Sequence, residues 1–128
     1  MSYLVDSDWL IDAVIGRAPA LQLIGGLATS GPAISTISVA EVCGGAFGAT
    51  EPTEALGRAQ RFLLNFVVLP VTTQIAEQFA WLRFTLRRQG LLIPDMDLLI
   101  AATALEHDLT LVTRNQRHFA RIPGLRIQ

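Results

Sequence analysis

The sequence contains no lysine: all ten of its basic residues are arginine. That absence argues against phosphoryl-transfer chemistry of the kind that relies on a lysine ammonium to hold phosphate charge. A single cysteine, Cys43, rules out an internal disulfide and leans weakly toward a reducing, cytoplasmic compartment. Charge is sparse, at 16% of residues with a net charge of −1, so no overall field draws the chain to nucleic acid or to an anionic surface. Any nucleic-acid contact would have to come from locally clustered arginine, assembled across two subunits if necessary. No charged residue occurs from position 18 to 40, yet Pro19, Gly25, Gly26, Gly31 and Pro32 interrupt that stretch, so a membrane span is not expected. Asp6, Asp8 and Asp12 likewise break any apolar leader segment at the N-terminus.

What is abundant is apolar side chain, 51% of 128 residues, enough for a single domain over 1–128 with apolar surface left for a partner or a second copy. Short β-rich runs alternate with helical patterns. Residues 3–5, 33–36, "FVVLPV" from 66 and "LTLVT" from 109 read as strands, and "LRI" from 125 as a final edge strand. Between them, Trp9, Ile11, Val14 and Ile15 fit a helix, "ALQLIGGLA" a second weakened by its glycines, and "SVAEVCGGAFG" a third. Pro52 heads a fourth, with Ala55, Leu56, Ala59, Phe62 and Leu63 on one face. Residues 73–89 carry Ile75, Phe79, Leu82 and Leu86 at helical spacing up to the stop at Gly90, with Trp81 and Phe84 off that stripe, facing either a thick core or a dimer partner. "IPDMDLLIAATALEHD" and "NQRHF" supply the remaining helices. The pattern predicts an α/β three-layer sandwich with a four- to five-stranded parallel sheet.

Ligands of such a sheet gather beyond the carboxyl ends of its strands. Asp6 follows the first strand, Glu41 lies one turn beyond the second, Asp95 and Asp97 head the helix before the fourth, and Thr113, Arg114 and Asn115 follow that strand. Several carboxylates brought together repel one another unless a cation neutralises them. Hard oxygen ligands point to Mg²⁺ or Mn²⁺, and the matching chemistry is phosphodiester hydrolysis.

Each acid also has a structural explanation. Ser38 and Glu41 in "SVAE" fit a capping box, Asp8 a helix cap, Asp12 a surface acid, and Asp95 a favourable charge at a helix N-terminus. Asp6 resists such an account, because an apolar strand running into a carboxylate needs a partner for it. His107 and His118 lack ligand spacing and read as surface residues, Cys43 as a packed thiol, and Arg83, Arg87 and Arg88 as a solvated helix end.

At these residues the chain resembles the PIN-domain family, in particular its VapC-type toxins. The matching segments are "YLVDSDWLID", "ISTISVAEVCGGA", "DLLIAATALEHDLTLVTRN" and "HFARIPGLRI", in family order across nearly the whole chain. The resemblance implies a Mg²⁺- or Mn²⁺-dependent endoribonuclease, a homodimer and inhibition by a VapB-type antitoxin whose helix enters an apolar groove, with the first two helices and the 73–89 helix as candidates for it. Carried over by position, Asp6, Glu41 and Asp97 are the catalytic and metal-binding acids, Glu41 directly or through water, with Asp8, Thr113 and Asn115 as possible supporting residues. Two departures stand out. Asp8 replaces the asparagine of the family's "DTN", and a fourth acid, often "DF" after the fourth strand, is absent where this chain has Asn115 and His118-Phe119. With three acids, one ion is expected rather than two. The alternatives are a PIN-like binding module without activity, or an aspartyl-phosphate phosphatase with Asp6 as nucleophile, which the missing lysine disfavours.

Overall fold

The computed structural model describes all 128 residues. β1 (Tyr3–Val5) leads directly into α1 (Ser7–Val14), then α2 (Ala18–Leu27), a 3-10 turn (Ala28–Ser30), β2 (Ala33–Ser35), α3 (Thr36–Phe47) and α4 (Pro52–Leu63). The second half comprises β3 (Val67–Leu69), α5 (Thr73–Arg88), α6 (Asp95–Glu106), β4 (Thr110–Val112) and the short α7 (Gln116–Phe119). The four strands form one parallel sheet in the order β3-β2-β1-β4. The expected fifth strand reduces to a single parallel bridge between Leu111 and Ile127, held by Leu111 N–H to Arg126 O and Gln128 N–H to Leu111 O, each 2.9 Å.

Successive residues of a strand point to opposite faces, and here each face has its own core. Leu4, Ala33 and Leu111 join Ile75, Leu82, Leu86, Leu98 and Phe119 under α5 and α6. Their neighbours Val5, Ile34 and Val112 join Leu10, Val42, Ala59, Leu63 and Phe66 under α1, α3 and α4. Three-residue strands thereby hold a three-layer sandwich together. α6 is buried on almost every side, through Leu98, Ile100, Ala101, Ala102, Thr103 and Ala104, and its alanines let the backbone lie close to the sheet. The buried Thr103 hydroxyl is satisfied by the Leu99 carbonyl at 2.8 Å. β3 is an edge strand, so Val67 and Val68 remain exposed while Leu69 turns inward.

On α5, Ile75, Leu82 and Leu86 are buried as their spacing predicts. Trp81 and Phe84 are 59% and 60% exposed, which rules out the thick-core reading of that helix. Thr72 caps it, accepting from Ile75 N–H at 3.2 Å. Replacing Thr72 by alanine is expected to lower stability by about 1 kcal/mol in urea denaturation, with an unchanged denaturant slope. No single helix is long and apolar enough to cross a membrane, and the uncharged stretch resolves into a helix, a 3-10 turn, a strand and the start of α3.

Candidate functional site

The carboxyl ends of β1, β2 and β4 and the N-terminus of α6 meet at one edge of the sheet. Asp6 stands where β1 becomes α1. It is 5% exposed, and it is the N-cap of α1, accepting from Ser7 N–H at 2.8 Å through Oδ1. Its other oxygen accepts from the Thr113 hydroxyl at 2.6 Å, and its own N–H bonds Val112 O at 2.9 Å. Burial pushes its carboxyl up to about 6. The Thr113 hydrogen bond opposes this, the charge of Asp8 adds to it, the Ser7 amide opposes it, and the charge of Asp97 adds again. No arginine bridges to Asp6. A desolvated carboxylate without a cation, facing two more acids, is the electrostatic signature of a site.

Asp8 is not the helix cap the sequence suggested, because Asp6 occupies that position. Its carboxylate accepts from Trp9 N–H at 2.7 Å and from Arg114 N–H at 2.9 Å. Nor is Asp12 a free surface acid. It holds the Arg114 guanidinium at 2.8 Å, while that group also bonds Asp8 O at 3.0 Å and lies 4.5 Å above the Trp9 ring. Arg114 thus fastens the segment after β4 onto α1 and pairs chiefly with Asp12, leaving Asp6 without a cation of its own.

The capping-box account of Glu41 fails. α3 begins three residues earlier than the "SVAE" pattern implies, with Ser35 as N-cap accepting from Ile37 N–H at 3.0 Å. Ser38 is fully buried inside the helix, 2.9 Å from Ser7 Oγ. Ser7 gives its hydroxyl proton to Glu41 Oε1 at 2.6 Å, so Glu41 reaches across to α1 rather than back to its own helix. Ser7 therefore links two of the expected acids, with its amide on Asp6 and its hydroxyl on Glu41.

The structure also separates the two acids of α6. Asp95 points outward and pairs with Arg83 at 3.0 Å, its side chain 58% exposed. Asp97 is only 20% exposed, acts electrostatically on Asp6 and lies 3.4 Å from His118 Nδ1. Thr113 is buried between Asp6 and the Asn115 N–H, from which it accepts at 3.0 Å, and Asn115 Nδ2 lies 2.8 Å from His118 Nδ1. His118, read from the sequence as a surface residue, is 35% exposed and stands one helical turn beyond Asn115 at the strand-end edge, whereas Ser7 was passed over altogether. His107 does stay on the surface, and Cys43, on α3, is partly buried against the core.

No three of the chain's acidic, histidine or cysteine side chains converge closely enough to enclose an ion by themselves. Asp6 and Asp97 share one electrostatic neighbourhood, with Glu41 tethered alongside through Ser7. That arrangement fits a hard divalent cation, which takes one or two carboxylates and keeps several waters, better than it fits a closed structural cage.

The PIN domain model matches residues 3–125. The tRNA(fMet)-specific endonuclease VapC of Salmonella typhimurium is 30% identical over 128 residues, covering 100% of this chain and 97% of that protein. Ribonuclease VapC10 of Mycobacterium tuberculosis is 37% identical over 124 residues, covering 96% and 90%. Among solved structures, VapBC2 of Rickettsia felis bound to a DNA fragment from its promoter superposes with a TM-score of 0.91 at 28% identity, covering 100% of this chain and 98% of that one.

Proposed function

This chain belongs to the PIN-domain family, and from that premise we propose that it is a cytoplasmic, Mg²⁺- or Mn²⁺-dependent endoribonuclease, the toxin of a type II toxin–antitoxin pair. The observation that carries the reading is Asp6. A rigidly held, buried carboxylate without a basic partner, next to Asp97 and tied to Glu41, is costly for the fold and is accounted for by a cation that arrives from outside.

Asp6 and Asp97 would hold the ion, with Glu41 binding directly or through water. When bound, such an ion polarises a phosphoryl oxygen and lowers the pKa of a water to yield a nucleophile. The chain's own part is orientation. Thr113 and the Ser7 amide fix both oxygens of Asp6, the Ser7 hydroxyl fixes Glu41, and Arg114 fixes the segment carrying Thr113 and Asn115. Locked side chains of this kind need no reorganisation as charge develops on the phosphate. Asp8 supports the site through its charge and its hold on Arg114.

The partner would be a VapB-type antitoxin. An apolar cleft between α1, α3 and α4, lined by Ile11, Val14, Ile15, Val42 and Ala46, suits the apolar face of a helix. A second hollow lies along α2, at Leu21, Ile24, Phe62 and Phe66. α5 lines neither, so the first two helices are the favoured part of the groove. The exposed Trp81 and Phe84 of α5 are left as the face for a homodimer.

Incubating purified protein with a mixed cellular RNA pool tests the reading. Cleavage is expected with Mg²⁺ or Mn²⁺ and is expected to vanish in EDTA. Cleavage that survives chelation, or none with either ion across a range of RNAs, would count against it.

A further inference from the structure

Ser38 is a fully buried hydroxyl at the head of an apolar stripe on α3, which continues one and two turns on through Val42 and Ala46. Opposite it, Ser7 heads the matching stripe of α1, followed by Ile11 and Val14. Those four apolar residues go on to line the cleft between the two helices, so the serines are the polar layer at the site end of an apolar seam.

Counting protons fixes the direction of the hydrogen bonds in that layer. Ser7 Oγ lies 2.6 Å from Glu41 Oε1 and 2.9 Å from Ser38 Oγ, and it has one proton to give. A carboxylate only accepts, and the shorter contact has the length of a charge-assisted O–H···O⁻ bond, so that proton goes to Glu41. The longer contact is then made by the Ser38 proton, donated to Ser7 Oγ. A buried hydroxyl in a helix has a nearer choice, the carbonyl four residues back, and Thr103 on α6 takes it, donating to Leu99 O at 2.8 Å. Ser38 bonds across to α1 instead.

Resting on the nuclease reading above, we propose that Ser38 is a positioning residue for Glu41, acting through Ser7. Its proton occupies a lone pair of Ser7 Oγ and sets the Ser7 rotamer, which leaves the Ser7 proton aimed at Glu41. A donor that is also accepting is polarised, so its bond to the carboxylate strengthens. Glu41 is long and partly exposed, and the Ser7 hydroxyl is the group that holds it. Ser7 also gives its amide to Asp6 Oδ1 at 2.8 Å, so the hydroxyl behind it steadies a residue shared by two acids of the site.

The test begins in EDTA, with no ion to hold Glu41. Three-bond ¹³C and ¹⁵N couplings about its Cα–Cβ bond report whether the side chain keeps one rotamer. One-rotamer values are expected in the wild type and in Ser38→Thr, and averaged values in Ser38→Ala and Ser38→Val. Threonine and valine match in volume, as serine and alanine nearly do, so each pair isolates the hydroxyl from the packing. Ser38→Ala strands no buried donor, because Ser7 keeps Glu41 as its acceptor, and the Thr and Val pair decides the matter should the alanine variant fold poorly. In RNA cleavage, Ser38→Ala is expected to lower kcat about tenfold with KM within about twofold, and Ser38→Thr to restore most of the rate. A packing role alone would reverse that order, since threonine adds a methyl group to a full site. On a Ser7→Ala background, Ser38→Ala should cost no more than about twofold further, because the path runs through Ser7. Three results overturn the inference and leave the nuclease reading standing: Glu41 averaged in the wild type, Glu41 locked in Ser38→Ala and Ser38→Val, or a full loss on the Ser7→Ala background. A wild type that cuts no RNA with either ion overturns the nuclease reading, and with it any part for Ser38 in the reaction, whatever the couplings show.

Discussion

Asp6→Asn is expected to abolish RNA cleavage and, in the same preparation, to make the protein more stable. The first effect follows from losing a carboxylate that would hold the ion, a loss on the order of a thousandfold or more in rate. The second follows from the position of the wild-type group. A carboxyl that titrates at 3.8 when free and at about 6 in the fold is protonated preferentially in the native state. Below pH 3.8 both states carry the proton and there is no penalty. Between 3.8 and 6 the native state keeps its proton while the unfolded state loses it, so stability falls as pH rises. Above 6 the full penalty stands, roughly 3 kcal/mol.

Asparagine has no such charge and keeps the local hydrogen bonding: its Oδ1 can accept from Ser7 N–H, and its amide can donate to Thr113 Oγ1, whose own proton can turn to Asp8 Oδ2, 3.5 Å away. In metal-free buffer at pH 8 the variant should therefore melt higher by something on the order of 10 °C for a domain of this size. The gap should close as the buffer approaches pH 4. Saturating Mn²⁺ should narrow it at pH 8, because the ion stabilises the wild type through a ligand the variant lacks. Thermal melts across that range, with and without EDTA, check every part. A variant that cleaves RNA at the wild-type rate, or that shows no pH-dependent stability difference, would remove Asp6 from the site.

Much of this edge was legible because backbone pattern fixes it. Strands too short to show a clear period still declared themselves by β-branched runs between helices, and the carboxyl-end rule then placed Asp6, Glu41, Asp97 and Thr113 together. α2 formed despite Gly25 and Gly26, since Leu27 and Ala20 bury and packing outweighs the roughly 1 kcal/mol that each glycine costs a helix. What remained hidden are links between side chains distant in sequence. Ser7 to Glu41 spans 34 positions, Arg114 to Asp8 spans 106, and Thr113 to Asp6 spans 107. No local periodicity encodes them. The capping errors share one cause: several hydroxyls and acids stand in a row near each helix start, at Asp6, Ser7 and Asp8 and again at Ser35, Thr36 and Ser38. Only the observed backbone turn selects Asp6 and Ser35 from among them. The neighbours of His118 were equally hidden, being an acid 21 residues away and an asparagine one turn before it.

The two acids of α6 offer the sharpest test of that edge. Asp95 and Asp97 share the first turn of one helix, so each gains similarly from the helix N-terminus, worth about 0.3–1 kcal/mol. Two residues apart on a helix, they point to nearly opposite sides. Asp95 spends its charge on Arg83 in solvent, a pair worth at most about 1 kcal/mol. Asp97 faces Asp6 and His118. Asp97→Asn is thus expected to lower cleavage on the order of a thousandfold while leaving the melt almost unchanged, since the lost helix-end charge is offset by relief of repulsion with Asp6. Asp95→Asn should stay within about twofold of wild-type rate and lose less than about 1 kcal/mol. Each variant controls for the other, because propensity, helix position and chemical change are matched and only the direction of the side chain differs. Parallel rate measurements on the same RNA, with circular dichroism to verify the fold, settle it. Equal losses in both would mean that helix-end electrostatics rather than ion binding explains the acids of α6, and a larger loss at Asp95 would move the site to the outer face of the helix.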